Sequence, residues 1–203
     1  MNQKELEDYI LKAANTLRGM AESADVKQFI FPLLFYKRIS DVWGEEFEEA
    51  LELFDSDLDA AKMLENYRFQ IPNGCHWKDI RATSTDIGNK IRKSFREIEN
   101  TNFELLHGVF GNAQWTNKSL LSDAKLIDLI EQLSVVTLSK DNISDDAIGA
   151  GFEFLVKEFA KDTGHTAADF YTNRTVIDLV LELADPQPGE SVYDPACGSG
   201  GFL

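Results

Sequence analysis

The stretch from Val26 to Val42 constrains the fold most. Val26, Phe29, Ile30, Leu33, Leu34, Ile39 and Val42 recur at helical spacing, and the run Phe29 to Tyr36 is apolar throughout. A helix that is apolar almost all round has to be buried. At eight residues the run is far short of the roughly 20 needed to cross a bilayer, so the burial expected is the core of a helical bundle. Ser23 is placed to cap this helix, and Pro32 predicts a kink or a new start inside it. Ahead of it, Leu6, Tyr9, Ile10, Ala13, Ala14 and Leu17 predict a helix over residues 4–20 that stops near Gly19.

Helical spacing continues downstream. Residues 45–52 read as a strongly acidic, solvated helix face. Residues 66–85, with Pro72, Asn73 and Gly74, read as irregular, with one short strand at 68–71. Asp86 is expected to cap a helix that buries Ile87, Ile91, Phe95 and Ile98. Its other face carries Lys90, Arg92, Lys93 and Arg96, the clearest basic cluster and a candidate contact for DNA phosphates. A shorter element is expected at 103–110 and helices at 123–133, 145–160 and 173–184, separated by loops near 70–85 and 111–122.

The formal net charge of −15 over 203 residues excludes a freestanding nucleic-acid binder with a basic stripe. Residues 1–66 hold 15 acidic and 7 basic side chains. Any work on DNA therefore calls for phosphate affinity from a partner or another segment. Cys75 and Cys197 make no metal or redox pattern, and His76, His107 and His165 have no ligand spacing. No metal site is expected. The N-terminus has no apolar stretch behind a basic start, so a reducing, cytoplasmic setting is expected, with no membrane segment.

The texture changes after Lys161. Thr172 is placed as the N-cap of the 173–184 helix. After Pro186, Pro188 and Gly189 comes a β-prone stretch, Ser191-Val192-Tyr193, followed by Asp194-Pro195-Ala196-Cys197-Gly198-Ser199-Gly200-Gly201-Phe202-Leu203. A strand running into a glycine-rich turn is the first half of a nucleotide-type α/β site. No lysine follows the glycines, which excludes a kinase-type P-loop. The spacing also differs from G-x-G-x-x-G. A cofactor with a carboxylate and an ammonium but no phosphate, such as S-adenosylmethionine, suits turn amides beside the acid Asp194. Phe170 and Tyr171 are candidates to line an adenosine or methionine pocket.

These two elements, in this order, resemble the cofactor-binding segment of the type I restriction–modification methyltransferase (M) subunit. That family carries (E/Q)-(F/Y)-(F/Y)-T-P-R ahead of D-P-A-x-G-(S/T)-x-G-F. Phe170, Tyr171, Thr172 and Arg174 match the first element; Asp194, Pro195, Ala196, Gly198, Ser199, Gly201 and Phe202 match the second. LRGMAESADVKQFIFPLLFYKRISDVW and DDAIGAGFEFLVKEFA resemble the family's N-terminal helical domain and its junction. The resemblance covers nearly the whole chain. It implies a helical domain over 1–144, then the start of a Rossmann-like α/β methyltransferase domain over 145–203. It implies S-adenosylmethionine contacts at Asp169, Phe170, Tyr171, Thr172, Asn173, Arg174, Asp194, Ala196, Gly198, Ser199, Gly200 and Gly201. It also implies methyl transfer to the exocyclic amino group of adenine in DNA, protecting host DNA from restriction. The partners implied are a specificity (S) subunit, a second M subunit, a restriction (R) subunit and double-stranded DNA.

Asn173 stands where the family usually has proline, and Asp169 replaces a glutamate or glutamine. The family's Asn/Asp-Pro-Pro-Phe/Tyr run, which holds the flipped adenine, does not occur in these residues. The chain is therefore expected to be a fragment, truncated after the first strand and turn and inactive by itself. Two other readings stay open: an acidic helical module acting as regulator or DNA mimic, and a methyltransferase for a substrate other than DNA.

Overall fold

The helices form where apolar spacing meets a satisfied first turn. In the computed structural model, which describes residues 1–17, 23–63, 66–162, 172–197 and 200–203, α1 spans Gln3–Thr16. Asn2 and Glu5 close a reciprocal capping box at its start. Helix α2 runs unbroken from Ser23 to Leu53, straight through Pro32. The expected kink or restart is thus a continuous helix. Proline in a helix interior costs about 3 kcal/mol, whereas each large apolar side chain buried beside it returns roughly 1.5–3 kcal/mol. Phe29, Ile30, Leu33 and Leu34 are all buried, so packing outweighs the lost backbone bond. The acidic stretch 45–52 is the last part of this same helix.

A four-residue helix, α3, follows at Leu58–Ala61, capped by Asp57. Helix α4, Trp77–Arg81, lies in the segment expected to be irregular, and no strand forms at 68–71. Five residues are too few to be stable alone. The Trp77 amide donates to Ser40 Oγ (2.8 Å) and its indole N–H to Ser134 Oγ (2.9 Å), so distant partners fix this turn.

Helix α5, Ile87–Thr101, buries the expected face: Ile87, Ile91, Phe95 and Ile98. Its cap differs from the expectation. Asp86 sits in the left-handed region (φ 54°), and its side chain accepts instead from the Asn89 amide. The Asp123 carboxylate accepts from the backbone N–H of Asp86 (3.0 Å) and Ile87 (3.2 Å), supplying the helix start from across the fold. Helices α6 (Phe103–Leu106), α7 (Asp123–Leu133), α8 (Asp145–Asp162) and α9 (Arg174–Ala184) complete the described set.

The chain divides into two compact units, Met1–Leu155 and Val156–Leu203. In the first, α1 packs on α7, while α4 touches α2, α5 and α7. Its centre is aromatic. Phe95 stacks on Phe110 at 4.1 Å, Tyr36 and Trp115 meet Phe95 edge-on, and Phe29 meets Trp115 edge-on in turn. The Tyr36 hydroxyl donates to the Cys75 carbonyl (2.7 Å). Gly88 allows the closest approach: a Cβ there would lie 1.9 Å from the Trp115 carbonyl oxygen.

In the second unit, residues 191–194 are not a strand, and no strand forms among the described residues. The expected start of an α/β sheet is therefore not seen. A strand needs a neighbour to take its N–H and C=O groups, and none lies among the described residues. Val192 and Tyr193 are exposed. Among the described residues no helix is long and apolar enough to cross a membrane.

Candidate functional site

The glycine turn starts from a pinned carboxylate. Asp194 Oδ1 accepts from the Ala196 N–H (2.9 Å), an Asx-type turn that holds the acid at the mouth of the loop. The Gly200 N–H donates to the Cys197 carbonyl (2.7 Å), and the Leu203 N–H to Gly200 (3.0 Å). Gly200 has φ +78°, and a Cβ there would meet nothing within 4 Å. Glycine is thus favoured by conformation, and the space beside it is open to a ligand. Asp194 is half-buried, and its second oxygen accepts no bond among the described residues.

Upstream, Asn173 rather than Thr172 caps α9. Its side chain accepts from the Thr175 N–H (2.9 Å) with an extended backbone (φ −62°, ψ 133°). The expected cap was one residue too early because both residue types cap well, and Asn173, next to the helix, reaches the free amide. Arg174 is the first helical residue. Asp169, Phe170, Tyr171, Gly198 and Ser199 lie outside the described residues.

The four basic residues of α5 divide into two kinds. Lys90 Nζ donates to the Gly74 carbonyl (2.6 Å), across the fold, whereas exposed Arg92 donates to Asn89 Oδ1 (2.9 Å) one turn back on the same helix. Lys93 and Arg96 are exposed, with no charged partner among the described residues.

A cleft of about 490 Å³ is lined by His76, which has no ligand spacing in the sequence, and by residues the sequence does not single out, among them Trp43, Glu48, Trp77 and Arg81. The His76 ring meets Trp43 at 4.3 Å, and burial holds its imidazole below the usual histidine range. Arg81 forms a two-pronged pair with Glu131 (2.8 Å each). The spacing of His76 and Asp79, whose carboxylate accepts from the His76 N–H, was the available signal for α4. The acidic end of α2 is not simply a solvated face either. Glu46 is buried against Lys140, and Glu45 accepts two backbone N–H groups of the loop before α8. Sequence spacing shows acids on one face, but not the loop folded over them.

Residues 6–133 match the HsdM N-terminal domain family, and residues 143–203 match the N-6 DNA methylase family. The chain belongs to the type I restriction–modification methylase subunits, as their N-terminal region. It is 28% identical over 98% of its length to the type I restriction enzyme MjaIX methylase subunit of Methanocaldococcus jannaschii, covering 38% of that protein. It is 28% identical over 66% of its length to the EcoKI methylase subunit of Escherichia coli, covering 25% of that protein. In fold it resembles the crystal structure of a type I methyltransferase subunit from Streptococcus thermophilus. The TM-score is 0.73 at 21% identity, covering 99% of this chain and 48% of that one. The chain thus spans less than half the length of these type I methylase relatives.

Proposed function

We propose that this chain supplies the helical domain (1–144) and the beginning of the cofactor site (145–203) of an adenine-specific DNA methyltransferase subunit. The observation that carries this reading is the Asp194 carboxylate pinned by the Ala196 N–H ahead of Gly200, a glycine of left-handed conformation with open space beside it. That donor set fits S-adenosylmethionine. Asp194 would take the ammonium of the methionine moiety through the oxygen that Ala196 does not hold; the N–H groups of Gly198, Ser199 and Gly201 would face its carboxylate, while Ala196 and Gly200, whose N–H groups close the turn on Asp194 and Cys197, would shape the pocket. Phe170 and Tyr171 would border the pocket, with Asp169, Thr172, Asn173 and Arg174 beside them at the start of α9. The bound cofactor supplies a methyl group activated on sulfonium. These residues bind and orient it. Positioning the adenine amino group in line with it falls to an Asn/Asp-Pro-Pro-Phe/Tyr run that these residues lack, so the 203 residues alone are proposed to transfer no methyl group.

The open apolar side of α9 is the side a parallel sheet would take in an α/β domain. On α5, Lys93 and Arg96 are proposed to reach DNA phosphates, with Lys90 and Arg92 in support. The working assembly is proposed to join a specificity subunit, a second M subunit and, for restriction, an R subunit on double-stranded DNA in the cytoplasm.

The test extends the protein to the length of its relatives and combines it with a specificity subunit and S-adenosylmethionine labelled in the methyl group. Label on the adenine amino group of duplex DNA is the expected result. Cofactor binding by calorimetry without DNA labelling overturns the adenine reading and favours another acceptor. Failure to bind the cofactor overturns the methyltransferase reading. Replacing Lys93 and Arg96 by alanine should weaken DNA binding uniformly across sequences and lower its salt dependence.

A further inference from the structure

Residues 134–142 lie between the two family-matched segments, contain no helix, and are rich in Ser, Thr, Lys, Asp and Asn. By composition they are a linker. Their bonding is different. Asp41 Oδ2 accepts from the Leu138 N–H (2.6 Å). Glu45 accepts from two successive amides, Lys140 to Oε2 (2.7 Å) and Asp141 to Oε1 (2.9 Å). Arg38 spans the segment, donating to the Leu138 carbonyl (2.7 Å) and to Asp145 Oδ1 (2.8 Å) at the start of α8. Lys140 Nζ pairs with the buried Glu46 (2.6 Å). The N-terminal ammonium donates to the Asn142 carbonyl (3.1 Å), and the Tyr9 hydroxyl to Leu133 (2.7 Å). Leu138 and Ile143 are buried as apolar anchors between these bonds.

The first turns of α8 are held as well. Phe152 stacks on Phe31 of α2 at 5.6 Å. A Cβ on Gly151 would lie 2.8 Å from Ile10 Cδ1 and 3.2 Å from Leu6 Cδ2 of α1, so the two helices approach closely. All of these residues belong to the first compact unit.

We propose that residues 133–145 are a rigid coupler: Arg38, Asp41, Glu45 and Glu46 of α2 lock the apparent linker and the start of α8 to the helical bundle. The beginning of the methylase-matched segment, residues 143–155, is thereby built into the helical unit. Carboxylates accepting backbone amides make such a lock stiff, because charge-assisted bonds are about twice as strong as neutral ones. The inference is independent of which methyl acceptor the subunit serves.

Amide hydrogen exchange on the 203-residue protein, resolved to single residues, tests it. The amides of Leu138, Lys140 and Asp141 should exchange at least about 100-fold more slowly than in a free chain. Glu45→Ala should speed Lys140 and Asp141 about tenfold or more while leaving Phe95 and Ile98 of α5 unchanged. Trypsin should cut after Lys140 in the variant and spare that bond in the parent. Free-chain exchange at these amides in the parent, or unchanged protection in Glu45→Ala, overturns the proposal. If Glu45→Ala also strips protection from α5, the parent's own exchange and trypsin pattern decide.

Discussion

Helices α7 and α9 are both eleven residues long, both capped by a side chain, and both amphipathic. Helix α7 buries Leu126, Leu129, Ile130 and Leu133, whereas α9 buries Ile177 and leaves Leu179 55% and Leu183 77% exposed. Sequence pattern sets which side of a helix is apolar. Whether that side is buried depends on elements elsewhere: α1, α4 and α5 surround α7. The same contrast holds for glycines. Gly88 is needed because a carbonyl lies against it, and Gly200 because its φ is positive.

The largest expected effect puts the two helices side by side. Leu129→Ala should destabilise the first unit by about 2–5 kcal/mol through loss of burial and a cavity, whereas Leu183→Ala should stay within about 0.5 kcal/mol. Denaturant unfolding measures both, and equal costs would break the comparison. Gly88→Ala comes next, at about 1–3 kcal/mol from overpacking against the Trp115 backbone. Gly200→Ala should cost about 1–2 kcal/mol, entirely from its left-handed conformation. A β-branched residue should therefore be no better tolerated at Gly200 than alanine, despite the open space.

Asn173→Ala removes the α9 cap and should cost that helix about 1 kcal/mol, read as faster exchange at Val176 and Ile177. The mildest effect is acid sensitivity of the α2–α8 coupler. Burial raises the Glu45 carboxyl, but the hydrogen bonds from Asp141 and Lys140 outweigh it and leave it below its ordinary value; the Arg38 hydrogen bond does the same for Asp145. Carboxyls depressed in the folded state stabilise it fully above their ordinary values, so above roughly pH 5, and lose that contribution as pH falls through their lowered values. Protection at Lys140 and Asp141 should therefore persist at pH 5 and fade in stronger acid, before the α5 amides lose theirs. In Glu45→Ala that step should be reduced.

Spacing alone located α1, α5, α7, α8 and α9, and the burial of α2, because a 3.6-residue apolar period can be satisfied by one structure with little ambiguity. The acid and glycine of the last turn were legible too, since Asp194 and Gly200 answer local backbone requirements. It misread what depends on remote partners. Pro32 passes through a continuous helix because its neighbours are buried. Asp123, not Asp86, completes the start of α5. Trp77 begins a helix because Ser40 and Ser134 await its donors. Residues 191–193 stay irregular because no strand among the described residues takes their hydrogen bonds.

By itself, then, the sequence determined the apolar faces, the turn chemistry around Asp194 and Gly200, and the order of the family motifs, all set by residues close along the chain. Only the tertiary structure decided that Glu45 grips the 140–141 amides, that Lys90 is tied to the Gly74 carbonyl while Lys93 and Arg96 are open, and that α8 begins inside the helical unit. Those outcomes turn on hydrogen bonds between residues up to about a hundred positions apart, and a local pattern carries no record of its distant partners.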